Sequence, residues 1–156
     1  MKNKTIVICF ASSSGGHFEQ LMMLRPLMAK YSKSFIITEK TRYQIKTEVE
    51  TYHMQQVNRK EFLFIFSLIV NSFYSLYITI KKRPNYIICT GALAMIPMCL
   101  IGKLFGAKLI YIESFAKINS PTLTGKLLYR IADQFYVQWE TMKKFYPKAI
   151  FLGGIY

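Results

Sequence analysis

Six consecutive residues near the amino terminus, Ser12-Ser13-Ser14-Gly15-Gly16-His17, carry the side-chain and backbone types that hold anions and move protons. They follow the apolar run of residues 6–10 and precede a stretch with apolar residues at helical spacing, so they form a strand-to-helix turn. Glycines in such a turn let the backbone bend tightly and approach a ligand, while N–H groups at the helix start point toward an anion. The serines add hydroxyl donors. The loop is not GxGxxG and lacks a P-loop lysine, so nothing in it specifies a dinucleotide or a nucleoside triphosphate. A tight turn with a serine cap explains the same residues equally well, and a histidine in the first helical turn, such as His17, is more often a satisfied polar residue than a base.

Two further loops have the same strand-then-small-residue form. Thr90-Gly91-Ala92 would let a ligand or a neighbouring chain come close, although helix–sheet packing also uses small residues there. Glu113-Ser114 puts a carboxylate at the end of the Tyr111-Ile112 run, suited either to accepting a sugar hydroxyl or to holding its loop in shape. The three cysteines form no CxxC pair and only two histidines are present, which argues against a zinc site and for buried thiols. No metal or other cofactor is expected.

The elements that position these loops alternate. Strands are predicted over residues 6–10, 34–38, 53–57, 85–90, 108–112, 135–137 and 149–152. Helices are predicted over 17–31 with a kink or early end at Pro26, and over 41–50, 62–80, 92–105, 120–132 (opened by Pro121) and 140–145. Strand then helix, repeated, predicts an α/β fold: a Rossmann-like, doubly wound parallel sheet with helices on both faces. Its ligands should lie outside the carboxyl ends of the strands. The length, 156 residues, suits one domain, since domains hold roughly 100–200 residues. The apolar run near the amino terminus is too short for a signal-peptide core.

Residues 62–80 contain no charge, and residues 67, 71, 75 and 79 draw one narrow polar stripe along the helix. The segment is long enough to cross a bilayer, but spanning would divide one sheet between two sides of a membrane. A core helix should expose a charged outer face and this one has none, so partial burial in a membrane interface is expected. Phe62, Phe64, Phe66 and Phe73 would supply the apolar contact, with Lys81, Lys82 and Arg83 beside the headgroups. The net charge of +13 and a mean hydropathy of +0.20 agree with a surface both cationic and apolar. Nucleic-acid binding is the rival use of this charge. It would need exposed aromatics interleaved with basic residues, or a recognition helix, and neither pattern is present.

Taken in order, Ser13-Ser14-Gly15-Gly16-His17 with Glu19-Gln20-Leu21, Ile37-Thr38-Glu39-Lys40-Thr41, Thr90-Gly91, Tyr111-Ile112-Glu113-Ser114 and Ala132-Asp133-Gln134-Phe135-Tyr136-Val137-Gln138-Trp139 resemble one family. It is the membrane-associated, acceptor-side half of split GT-B glycosyltransferases. Its members include the anchoring subunit of the dolichol-linked N-acetylglucosaminyltransferase and bacterial capsule and exopolysaccharide proteins. The resemblance covers almost the whole chain. It implies the N-terminal half of a GT-B enzyme, with residues 1–156 forming a single acceptor-side domain and no donor-binding domain. It further implies a separate donor-binding glycosyltransferase subunit that brings the nucleotide sugar, a polyprenyl-diphosphate sugar acceptor, and a place at the cytoplasmic face of the membrane. By the same resemblance, Ser13, Ser14, Gly15, Gly16 and Gly91 face the acceptor diphosphate, and His17 and Glu113 are the catalytic candidates. His17 would either assist the acceptor hydroxyl or bind phosphate. Two alternatives remain: a membrane-recruiting scaffold with no active-site role, and a basic nucleic-acid-binding α/β protein.

Overall fold

The computed structural model describes residues 5–40, 47–62 and 64–155. Its strands are β1 (Ile8–Ser12), β2 (Phe35–Glu39), β3 (Thr51–Met54), β4 (Tyr86–Cys89), β5 (Lys108–Ile112), β6 (Gln134–Val137) and β7 (Ile150–Phe151). They form one sheet in the order β3-β2-β1-β4-β5-β6-β7, and every neighbouring pair is parallel. All five residues of β1 are buried, as expected of a central strand covered on both faces. The helices are α1 (Gly16–Met22), α2 (Arg25–Lys30), α3 (Phe64–Lys82), α4 (Ile96–Leu104) and α5 (Leu123–Leu128). The alternation along β1 sorts the core into two layers. Ile8 and Phe10 pack with Phe18, Leu21 and Met28 of α1 and α2, whereas Cys9 and Ala11 face Ile78 of α3 and Met98 and Cys99 of α4.

The doubly wound parallel sheet is the expected one, with several changed boundaries. The helix foreseen over 17–31 is two, because the chain turns at Met23-Leu24 and Pro26 takes the first turn of α2, where a missing N–H is harmless. The helix foreseen over 92–105 opens with a 3₁₀ turn at Leu93–Met95 before α4. Pro121 does not open α5. Thr122 is the cap, its Oγ1 accepting the N–H of Gly125 at 2.8 Å, and the helix runs only to Leu128. Residues 140–144 are likewise a 3₁₀ turn. Of the helix expected over 41–50, residues 41–46 lie outside the described residues, and residues 47–50 are irregular. β3 starts two residues early, at Thr51, in register with Ile36.

α3 is amphipathic in the inverted sense. Asn71, Ser75 and Thr79 of the polar stripe are buried against the domain. Asn71 clasps the backbone of Gln55, accepting its N–H at 3.0 Å and donating to its carbonyl at 2.9 Å. Ser75 donates to the Asn71 carbonyl and Thr79 to the Met98 sulfur. Apolar side chains are what remain for the outer side: Ile65, Phe66, Ile69, Phe73, Tyr77 and Ile80 are all exposed. Leu100 and Leu104 of α4 and the following Phe105 are exposed as well.

Candidate functional site

The order of strand addition reverses between β1 and β4: β1, β2 and β3 step one way across the sheet, and β4 returns to the other side of β1. At such a switch point the loops after the two strands diverge and leave a crevice. Here the loops after β1 and β4 are joined instead by His17. Its Nδ1 lies 2.8 Å from the Thr90 carbonyl oxygen, and Thr90 Oγ1 donates to the His17 carbonyl at 2.9 Å. A carbonyl oxygen only accepts, so Nδ1 carries the proton and Nε2 of the neutral ring keeps a free lone pair. The ring rests on Gly91, where a Cβ would stand 2.8 Å from Cε1 and 2.9 Å from Nδ1. Gly91 has φ +127° and the following Ala92 has φ +92°, a conformation L residues rarely adopt, so the loop holds strain directly under the imidazole.

On the β1 side, Gly15 is the N-cap of α1 with φ +74° and ψ −142°, and its carbonyl accepts the N–H groups of Phe18 and Glu19. No side chain caps the helix, which removes the serine-cap explanation of the loop. Ser13 donates to the Ser14 carbonyl; Ser13 is buried, Ser14 half-buried, and Gly15 and Gly16 are exposed. Ser12 and Thr38, paired in register across β1 and β2, have buried hydroxyls with no hydrogen-bond partner.

Glu39, at the end of β2, is a member of this site that the sequence did not single out. Its carboxylate accepts the N–H of Val57 at 3.3 Å, with the Ser14 backbone and His17 exerting a further pull on its charge. Burial pushes its pKa above the usual carboxylate range, against the opposing pull of all three. The signal was available: Glu39 is a carboxylate at a strand's carboxyl end, the criterion applied to Glu113.

Glu113 itself is elsewhere, and in different surroundings. It is completely buried, and its carboxylate accepts from Ser114 N–H at 2.9 Å, Thr122 N–H at 3.2 Å, Thr122 Oγ1 at 2.9 Å and Tyr146 OH at 2.8 Å. Burial beside that carboxylate pushes the Tyr146 phenol up and keeps it a donor. All four of these donors belong to the protein, and the carboxylate holds the loop between β5 and α5 from inside. The structure therefore brings Ser13, Ser14, Gly15, Gly16, His17 and Gly91 together and leaves Glu113 behind the loop it staples. Among the described residues, no three metal-ligating side chains converge.

Of the residues expected at a membrane, Phe64, Phe66, Phe73, Lys81 and Lys82 belong to α3, while Phe62 precedes it and Arg83 follows it. Phe62, Phe66 and Phe73 are exposed, at 97%, 60% and 71%, and Phe64 is half-buried. Lys81 lies over the Tyr77 ring and donates to its hydroxyl at 3.3 Å, Lys82 pairs with Glu50, and Arg83 ends the helix with φ +47°.

An open parallel sheet whose two glycine loops meet at the β1/β4 switch point is a Rossmann-like α/β fold. Solved structures agree on the fold. MurG from Acinetobacter baumannii superposes with a TM-score of 0.72 at 14% identity over 87% of this chain and 42% of its own. UDP-N-acetylglucosamine 2-epimerase from Rickettsia bellii does so with 0.75 at 10% identity over 97% and 46%. The chain thus spans under half the length of these two proteins. The family model for oligosaccharide biosynthesis protein Alg14 like matches residues 7–155, and the chain belongs to that family. Curated relatives include the UDP-N-acetylglucosamine transferase subunit ALG14 of Candida albicans, 30% identical over 97% of this chain and 80% of that protein. The mouse subunit of the same name is 25% identical over 97% and 84%.

Proposed function

We propose that this chain is one subunit of a nucleotide-sugar-dependent glycosyltransferase that builds a lipid-linked saccharide, and that it seats the acceptor while a separate subunit brings the donor. The observation that carries this is the junction of the two glycine loops, where Nδ1 of His17 is engaged and Nε2 is left for a ligand, in a family whose named members are UDP-N-acetylglucosamine transferase subunits. Nε2 takes the proton of the acceptor hydroxyl as its oxygen bonds to the anomeric carbon of the donor sugar. The nucleoside diphosphate then leaves with the electron pair of the anomeric C–O bond. The exposed Gly15-Gly16 backbone, with Ser13 and Ser14, is the region left for the diphosphate. Glu113 acts by holding the β5–α5 loop. The outer side of α3 lies in the cytoplasmic face of the membrane, with Lys81 and Arg83 at the headgroups, which brings a lipid-borne acceptor to the crevice.

The test combines this protein, its donor-binding partner, vesicles carrying a polyprenyl-diphosphate sugar, and labelled nucleotide sugar. Transfer to lipid should require both proteins, and His17→Ala should abolish it while vesicle binding persists. If the partner's rate and product are the same with and without this chain, the proposal is wrong. If His17→Ala activates the partner as well as the wild type does, the chain is a recruiting scaffold instead.

A further inference from the structure

Two buried glutamines meet at one backbone carbonyl. Gln20, on α1 one turn beyond His17, donates from Nε2 to the Glu113 carbonyl at 3.2 Å and accepts the Phe115 N–H on Oε1 at 3.2 Å. Gln138, just after β6, donates from Nε2 to the same Glu113 carbonyl at 2.9 Å. Its Oε1 accepts the N–H of Ile155 at 3.0 Å. Gln20 is 1% exposed and Gln138 4%, so water cannot replace these bonds. Around them, Trp139 donates to the Phe115 carbonyl at 2.7 Å, the Phe115 and Trp139 rings lie 4.9 Å apart, and Ile155 packs with the α1-side layer of the core. Gly154 sits so close to Phe115 that a Cβ would come within 3.1 Å of its ring.

We infer that Gln20 and Gln138 are positioning residues that hold the His17 helix in register with residues 153–155, so that the seating of that segment sets the His17 site. A side-chain amide with both ends engaged transmits displacement, because moving one partner leaves a buried donor or acceptor unpaired unless the other partner follows. Ile155 N–H, Gln138, the Glu113 carbonyl and Gln20 form such a chain without a gap. Whatever lifts or presses residues 153–155 acts on the helix that carries His17. The catalytic meaning of this coupling rests on the function proposed above; the coupling does not.

The test uses the whole protein without a partner. Ile155→Pro removes the N–H that Gln138 accepts, at a half-buried position whose side chain also packs on the α1-side layer; Gln138→Leu breaks the middle of the chain and keeps the Ile155 side chain. In both variants, amide hydrogen exchange over residues 17–21 should speed up about fivefold, the effect of losing one ordinary hydrogen bond. Exchange in β2, on the far side of β1, should be unchanged. The ¹⁵N signals of the His17 ring should shift, with His53, the only other histidine, as an internal reference. Acceleration confined to residues beyond 150, uniform acceleration across all elements, or an unchanged His17 ring would each overturn the inference. None of these outcomes depends on whether the chain takes part in sugar transfer.

Discussion

Replacing Gly91 by alanine tests the site through two separable costs. The first is conformational: φ +127° is foreign to L residues, and forcing one there costs about 1–3 kcal/mol. The second is a collision, since the new Cβ would stand 2.8 Å from His17 Cε1 and 2.9 Å from Nδ1. The ring must move, and the bond from Nδ1 to the Thr90 carbonyl, worth about 1 kcal/mol, is lost. Together they predict a destabilisation of about 2–4 kcal/mol. Gly15→Ala is the matched control, because Gly15 is also at positive φ but a Cβ there meets nothing within 4 Å. Urea denaturation of both variants gives the difference, expected to be at least about 1 kcal/mol in favour of Gly15→Ala. Long-range ¹H–¹⁵N spectra report the ring itself. Neutral His17 should carry its proton on Nδ1 in the wild type and in Gly15→Ala, but not in Gly91→Ala. Equal stabilities for the two variants, or an Nδ1–H tautomer that survives Gly91→Ala, would refute the argument that the two loops meet through this ring.

Other expectations follow from the same geometry. Glu113→Gln should cost about 2–4 kcal/mol in urea denaturation, because an amide turns a donor toward the Thr122 and Tyr146 hydroxyls; transfer per folded molecule should stay within about threefold, and a larger loss would restore Glu113 to the chemistry. Glu39, with its folded pKa raised by burial, binds its proton more tightly folded than unfolded. Stability should therefore fall as pH rises from about 4.5 through the folded pKa, and thermal melts of Glu39→Gln should lack that fall. Asp133 has the opposite sign. Although partly buried, it is pulled below its ordinary range by Lys103, the Leu109 N–H and Lys108, so its contribution is present above about pH 4 and lost as pH falls, and Asp133→Asn should flatten the acid limb. Phe66→Ser and Phe73→Ser should each weaken sedimentation with anionic vesicles about tenfold while leaving the melting temperature unchanged, both side chains being exposed.

The sheet was legible because each strand is a short apolar run bounded by turn residues, and strand–helix alternation leaves few topologies. The site was legible only in parts. The glycine loop after β1 stands out in the sequence, yet its bond to Thr90 depends on β4 lying beside β1, which no local pattern encodes. One rule, a carboxylate at the end of a strand, applied to Glu39 and Glu113 alike. What separates them is Tyr146 and Thr122, whose approach to Glu113 needs Gly125, where a Cβ would meet the carboxylate at 2.2 Å. The split of α1 from α2 shows why periodicity overruns: apolar spacing continued through Met23-Leu24 while the chain changed direction. The polar stripe of α3 was visible as a stripe, but its inward direction was fixed by Gln55, a residue sixteen positions away.

That inward stripe decides how the molecule behaves away from its surface. Turning α3 to hide its phenylalanines would strand the Asn71 amide among apolar side chains, so the helix has no second, water-adapted pose to retreat into. The domain completes its fold with oil on the outside. With that side exposed, the protein should adsorb to interfaces and self-associate in plain buffer, and disperse as single molecules once detergent coats it.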